Sequence, residues 1–568
     1  MPAAVGERVV PLTSIGDVVP DGSTVGLGGA WLSAHPLAAV RELLRSGRRN
    51  LHVVSLTGSL DVDLLLGAGA ARRLSFCFVS LGPFGLAPCF RRAAAADAVE
   101  LDEHTGHGIT TALEAAGRRL DFLPFYGPVG TSLAGRYPTI ASPVGGKPVQ
   151  IAEALPLDVA ILHAEAATAD GHALLCGSGG VDLPLARAAT RVVVTAERIV
   201  DRLPASGSRY LPAQEVHHVI EAPWGAHPLA AVPDYVLDWR ALLEYADAAA
   251  TGAGFDAWLE AELAVPEAER AARLEPQRRR VLETAAAGPA VRPAPRAVDG
   301  PVEPHERIVV ELSRLLADGD FVILGSFTPM AYAATLLAKR THAPRLDYSA
   351  YSYGATEIDW LGYLLLEAQA AATGLGPVPM TDLVGSLRFG GLVAFEPVRP
   401  AQVDGSGAIN LRRLETPRGP VRLPGPAGAP EVLELHRRPA GYLPRHDRRT
   451  CVAAVDDATL RIHPPHERRD PFVLVTDLAV LEFTVEGWRV RSRHPGVSAA
   501  ALEAASGFPL LRAADAPVTP DPGGDALAVL REEVDPLGVT RIETADVQDR
   551  RRLLVEIFEA EERLFIEP

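Results

Sequence analysis

Four cysteines in 568 residues, at positions 77, 89, 176 and 451, are too few and too far apart for a disulfide framework or a paired-cysteine metal site. They read as reduced, buried thiols of a cytoplasmic protein. Lysine is scarce and the formal net charge is −16, so the chain lacks the basic surface that nucleic acid requires and no nucleic-acid partner is expected. No apolar run approaches the roughly 20 residues of a membrane-spanning helix. The opening MPAAVGERVV lacks the charged-then-apolar order of a secretion signal. These absences point to a cytoplasmic protein with no membrane partner. His104 and His107 stand close together, but no third ligand follows at metal spacing, so no metal is expected.

What is present is ordinary globular material, 48% hydrophobic and 22% charged, in a chain too long for one compact core. Residues 285–304 read AAAGPAVRPAPRAVDGPVEP, where proline and glycine are dense and apolar periodicity vanishes. This is a linker pattern. It divides the chain into a first unit, 1–284, and a second, 305–568.

The two units echo each other. DGSTVGLGG at 21–29 and DGDFVILGS at 318–326 are each a turn, a β-prone run and a glycine turn. Leu37, Val40 and Leu44 then give a helical stripe in the first unit, and Met330, Ala334 and Leu337 in the second. A further β-prone run follows each, at 51–54 and 346–348, completing a βαβ unit. A later strand with an Asp-Gly turn recurs at 157–173 and 392–410. The expectation is an α/β protein of two homologous open α/β domains in tandem, with a ligand at the strand carboxyl ends between them. Val547, Leu554 and Ile557 suit one face of a terminal helix within 541–568.

Glycines 26, 28 and 29 follow a strand and precede a helix, which lets backbone N–H groups approach an anion. GxGG does not match the dinucleotide fingerprint GxGxxG, and taken alone it reads as a plain turn.

Longer stretches carry a resemblance. VGLGGAWLSAHP (25–36), FVSLGPFG (78–85), FLPFYGPVGTSL (122–133) and ADGHA (169–173) resemble the α subunit of glutaconate-type CoA transferases. LLAKRTHAP (336–344), PAQVDGSGAIN (400–410), RLPGPAGAPEV (422–432), SRHPGVSAAALEAASGF (492–508) and EEVDPLGVTR (532–541) resemble the β subunit. The resemblance implies the CoA-transferase family I fold, with the two usual subunits fused and an acyl-CoA site between them. Coenzyme A would be a (co)substrate, with no permanently bound cofactor, a small-molecule acyl-CoA and a carboxylic acid as partners, and pairing of fused units into a homo-oligomer.

In that family a glutamate of the β part attacks the thioester, splitting one difficult exchange into easier steps. It sits in a Tyr-Glu-Ser-Gly segment shortly after KRTHAP. Here the segment is LDYSAYSYGA (346–355), and matching Tyr348 and Gly354 puts Ser349 in the glutamate's place. Serine cannot form the anhydride. Asp347 and Glu357 flank it as alternative carboxylates. A related branch, the steroid-ring-opening CoA hydrolase, also lacks that glutamate and uses one in the α part; Glu103 is the nearest match here, with Glu100 beside it. A charged helix entry is an equally available reading of ELDEH. The resemblance makes Gly28, Gly29, Gly325, Ser326 and Gly425 the oxyanion or CoA-binding backbone. Trp31, Tyr348 and Tyr351 become pocket walls, and Trp224 a further neighbour. Lys339, Arg340 and His342 offer charge for CoA phosphates or form a solvated helix end. The function read from this is hydrolytic or C–C bond-cleaving chemistry on an acyl-CoA; the alternatives are a CoA transferase with a displaced carboxylate nucleophile and a non-catalytic acyl-CoA-binding protein.

Overall fold

The computed structural model describes residues 8–566, except 178–179, 205–208, 289–290, 326, 351–352, 355, 379–380, 384–391, 437 and 466–469. Glycine and proline set its first feature. The Gly-rich run after Thr24–Leu27 ends a short buried strand, and Pro36 precedes the helix Leu37–Arg45. Its stripe of Leu37, Val40 and Leu44 is buried, as the spacing expects. Six further strands run parallel to Thr24–Leu27. The spatial order is Glu100–Glu103, Ala71–Val79, Leu51–Gly58, Thr24–Leu27, Leu157–Ala167, Ala189–Ala196 and His218–Glu221.

The second half repeats the central part of this order. Asp347–Ala350, Phe321–Leu324 and Val393–Phe395 pair in parallel. Pro397–Val398, Ala440–Leu443 and Phe472–Thr476 continue in parallel as a separate ladder. The architecture is therefore α/β, two open sheets in tandem with one topology.

One difference separates the repeats. The third strand of the first half runs unbroken from Leu157 to Ala167, whereas its counterpart breaks between Phe395 and Pro397. Proline has no N–H to give a ladder, so Pro397 suits the first position of a new strand. Glu396 occupies the break.

The largest apolar cluster draws on both halves, from Ile15 to Phe558. The terminal helix Val547–Ile566 joins them. Leu554 and Ile557 are buried as expected, but Val547 is not part of that face: it opens the helix and is 82% exposed. Between the helices Pro276–Ala285 and Pro304–Ser313 the described residues form neither helix nor strand. All four cysteines are buried and unbonded. Among the described residues no helix is long and apolar enough to cross a membrane.

Candidate functional site

A cavity of about 220 Å³ opens where the strand ends of the two halves meet. Trp31, Leu56, Thr57, Cys77, Phe78 and Gly106 line it from the first half. From the second come a row across one sheet face, Ser349, Ile323 and Glu396, and the loop around Gly425. The row follows from register. Ile323 pairs with Ser349, and Val322 pairs with Phe395, so Glu396 falls level with Ile323. Neighbouring side chains in register share a face, and successive ones alternate. The adjacent row, Tyr348, Val322 and Phe395, accordingly enters the apolar core behind the sheet.

This alternation corrects one expectation. Tyr348 is not a cavity wall: it is fully buried on the opposite face, and its hydroxyl accepts the N–H of Ile358 at 2.8 Å. Tyr351 and Ser326 lie outside the described residues. Ser349 does face the cavity; it is 1% exposed and its Oγ has no hydrogen-bond partner. Asp347 accepts from the N–H of Tyr348 at the strand start. Glu357 is on the surface, paired with Lys339 at 3.1 Å. Lys339 also donates to Leu346 O, Arg340 donates to Asp359 O, and His342 bonds Ser313 O. The KRTHAP charges thus tie a helix end down.

Trp31 lines the cavity as expected, in the left-handed region at φ 59°, packed edge-on against Phe78 and Phe327. Trp224 stacks on Tyr235 away from it. Gly28 and Gly29 do not line the cavity, and their N–H groups are already spent, on Ile161 O at 2.9 Å and Asp182 Oδ1 at 2.9 Å. One N–H makes one good hydrogen bond, so neither is an open oxyanion donor. Gly325 and Gly425 do line the cavity. Gly425 sits at φ 121°, where a Cβ would lie 2.4 Å from Cys77 O. Only glycine lets the loop approach this closely. Beside it, Val79 N–H donates to Pro424 O and Gly106 N–H to Ala427 O, sewing the loop onto the first half.

Glu103 ends the strand Glu100–Glu103 just behind that wall. It does not line the cavity. Its Oε2 accepts from Arg412 Nε at 2.6 Å, and Oε1 is paired with Arg422. Glu100, at the outer end of the strand, is exposed and pairs with Arg73 at 3.3 Å. Asp102, between them, faces the other way toward Arg136, Arg73 and His104. The His104 and Ser75 hydrogen bonds and Arg136 outweigh its burial and hold its carboxyl below the usual carboxylate range. Among the described residues, no group of three or more potential metal ligands comes together.

Sequence reasoning missed Glu396. It is the one carboxylate among the described residues lining the cavity, and its Oε2 lies 3.9 Å from Nε2 of buried His436. A signal was present: Glu-Pro interrupting a β-prone run marks a break at a strand's carboxyl end. Arg399, three residues on, borders both this cavity and a second of about 320 Å³ that Arg550 and Arg551 also line.

Asp182 lies behind Gly29, and burial pushes its carboxyl up to about 7. It stays protonated in the folded chain at pH values where the unfolded carboxyl has already ionised. The unfolded state then binds fewer protons, so this group's contribution to stability falls as pH rises from about 4 to about 7. Asp182→Asn should flatten that part of the profile of urea midpoint against pH; an unchanged slope would remove Asp182 as its source.

The site so described is a cleft between two open α/β halves, the arrangement of enzymes acting on coenzyme A esters. The comparisons agree. A sequence profile for coenzyme A transferase matches residues 13–221. One of the two chains of the 3-oxoadipate CoA-transferase of Pseudomonas knackmussii is 34% identical over 249 residues, 43% of this chain and 88% of that one. The cholesterol ring-cleaving hydrolase IpdA subunit of Mycobacterium tuberculosis is 34% identical over 277 residues, 45% of this chain and 94% of that one. The crystal structure of acyl-CoA transferase YdiF from Escherichia coli O157:H7 covers 93% of this chain and 97% of its own, with TM-score 0.64 and 13% identity, a likeness of fold. The chain belongs to the coenzyme A transferase family, and it is an enzyme of that type.

Proposed function

We propose that the protein hydrolyses an acyl-CoA in the cavity between its halves, at the thioester or at a carbon–carbon bond next to a carbonyl of the acyl group. The observation that carries this is Ser349. By the family resemblance it takes the place of the attacking glutamate, and it lies on the cavity floor with an unpartnered hydroxyl. A hydroxyl cannot give the acyl-glutamyl anhydride that exchange between carboxylic acids requires. Water is then the simplest acceptor. The cholesterol ring-cleaving hydrolase relative is as similar to this chain as the transferase relative is, which supports the same reading.

In this reading residues 1–284 and 305–568 are the two functional units, joined by 285–304, and fused chains pair as a dimer. The lining, largely Leu, Ile, Val, Phe and Trp, takes the acyl group. Arg399 and Arg550 at the second opening supply positive charge for the CoA phosphates. Ser349 donates to the bound acyl group and forms no covalent adduct.

The test is a panel of butyryl-, octanoyl-, benzoyl- and cyclohexanoyl-CoA, with and without a carboxylate acceptor, read by free thiol and by product mass. Release of CoA without acceptor is expected; release only when an acceptor is present would establish transfer. Ser349→Ala should keep turnover within about tenfold, since one neutral hydrogen bond is worth about 0.5–1.5 kcal/mol. An acylated Ser349 peptide, or a loss of several orders of magnitude, would make serine the nucleophile. Ser349→Glu should bring acyl exchange between carboxylates.

A further inference from the structure

The duplicated topology allows each cavity residue of the second half to be compared with its counterpart in the first. Val322 pairs with Phe395 as Val25 pairs with Val159, so the next residues, Glu396 and Ala160, are equivalent. Likewise Val322 pairs with Tyr348 as Val25 pairs with Val53, making Ser349 equivalent to Val54. In the first half both positions are fully buried apolar residues within continuous strands. In the second half both are polar, both face the cavity, and the strand carrying one of them is broken at that residue. An unbroken strand with an apolar residue is what packing alone selects. A glutamate raised at a break and only partly covered, with 13% of its side chain exposed, is what a ligand site selects.

Ser349 and Glu396 flank Ile323 on either side. Strands lie about 4.8 Å apart, so the two polar groups are separated by roughly 10 Å of cavity floor, room for a carbonyl group and a water between them. Ser349 Oγ is buried and without a protein partner, which leaves its hydroxyl for whatever occupies that space.

We infer that Glu396 is the general base of this site and that His436, 3.9 Å from it, is its positioning partner. The inference rests on the hydrolytic reading above. A water bound between Glu396 and Ser349 adds through its oxygen to a carbonyl carbon of the acyl group while its proton passes to the Glu396 carboxylate. The tetrahedral adduct collapses with breakage of the bond to the leaving group, sulfur in thioester cleavage or carbon in ring or chain cleavage. The leaving group takes the proton from Glu396, so the carboxylate is regenerated and no other co-reactant is consumed. Glu103, clasped by two guanidinium groups behind the Gly425 wall, is a latch between the halves in this scheme.

The experiment compares wild type, Glu396→Gln and Glu396→Asp on whichever acyl-CoA of the panel the wild type hydrolyses. Loss of a positioned general base lowers turnover by about 10²–10⁴-fold. Glu396→Gln should show that loss with KM changed far less, and Glu396→Asp should recover part of it. Glu396→Gln turnover within threefold of wild type overturns the assignment and leaves the hydrolytic reading standing. Acyl exchange without water incorporation overturns both. A measurement independent of turnover is labelling of the full chain by a water-soluble carbodiimide and an amine, mapped by peptide mass, with and without octyl-CoA thioether. Protection of Glu396 by the thioether is expected; equal labelling in both samples would show that Glu396 does not face the bound acyl chain.

Discussion

Glu103→Ala should lower the stability of the chain by about 3–5 kcal/mol, the usual cost of removing one partner from a buried ion pair. The Glu103 side chain is 5% exposed, against 18% for Arg412 and 11% for Arg422. Arg412 keeps a second carboxylate, Asp457, at 3.0 Å. Arg422 forms no other ion pair among the described residues and lies over the rings of Phe76 and Phe90. Most of the loss therefore falls on Arg422, a guanidinium left buried without its counter-ion. Glu103→Leu combined with Arg422→Met should recover much of it, because two apolar groups of similar volume need no partner. The measurement is the urea midpoint of each variant. A shift within about 0.5 kcal/mol for Glu103→Ala, as for an exposed pair, would mean that the latch carries no load. Any fall in turnover should track the loss of folded protein, since Glu103 holds the wall carrying Gly425 and does not line the cavity.

Glu561→Ala should cost about 3 kcal/mol or more. The Glu561 carboxylate, fully buried on the terminal helix, accepts the N–H groups of Tyr363, Leu364 and Leu365 at 2.7, 3.3 and 2.9 Å. These precede the helix Leu366–Thr373, so the carboxylate stands in for its missing cap. Each buried N–H left without an acceptor costs about 1–3 kcal/mol. The neighbouring Glu562 accepts from Trp239 Nε1 and Arg240 of the first half. One helical turn thereby ties the C-terminal end of the chain to both halves. Burial pushes the Glu561 carboxyl up to about 7, against three N–H groups that favour its ionised form. Glu561→Gln, which keeps an acceptor oxygen, should be milder than alanine. Equal midpoints for the alanine variant and wild type would show that water replaces the carboxylate and that the loop 363–365 is not held by it.

Short repeats in the sequence were enough for the duplicated topology, because a strand, a glycine turn and an amphipathic helix are each written in contiguous residues. The stripe at Leu37, Val40 and Leu44 and the turn at Gly28–Gly29 needed no partner to be legible. Ser349 was legible for a similar reason: it stands within a stretch of recognisable neighbours, and strand alternation then fixes which side it faces. The same alternation excludes Tyr348 from the cavity, which a period of two could have revealed once Ser349 was placed. Glu103 was found as a carboxylate, but its ion pairs come from Arg412 and Arg422, 309 and 319 positions away. Charge partners that distant leave no local pattern. Gly28 and Gly29 failed as open donors for the same reason, since Ile161 and Asp182 are brought to them by chain folding.

The sequence by itself determined the class of fold, its doubling, and the serine where a nucleophilic carboxylate was expected. These depend on local periodicity and on the chemistry of single side chains. Only the tertiary structure decided which carboxylate meets the cavity. That depends on the register between strands some 70 residues apart and on a break at Glu396–Pro397, and register is fixed by packing of whole sheets against each other and not by any one segment.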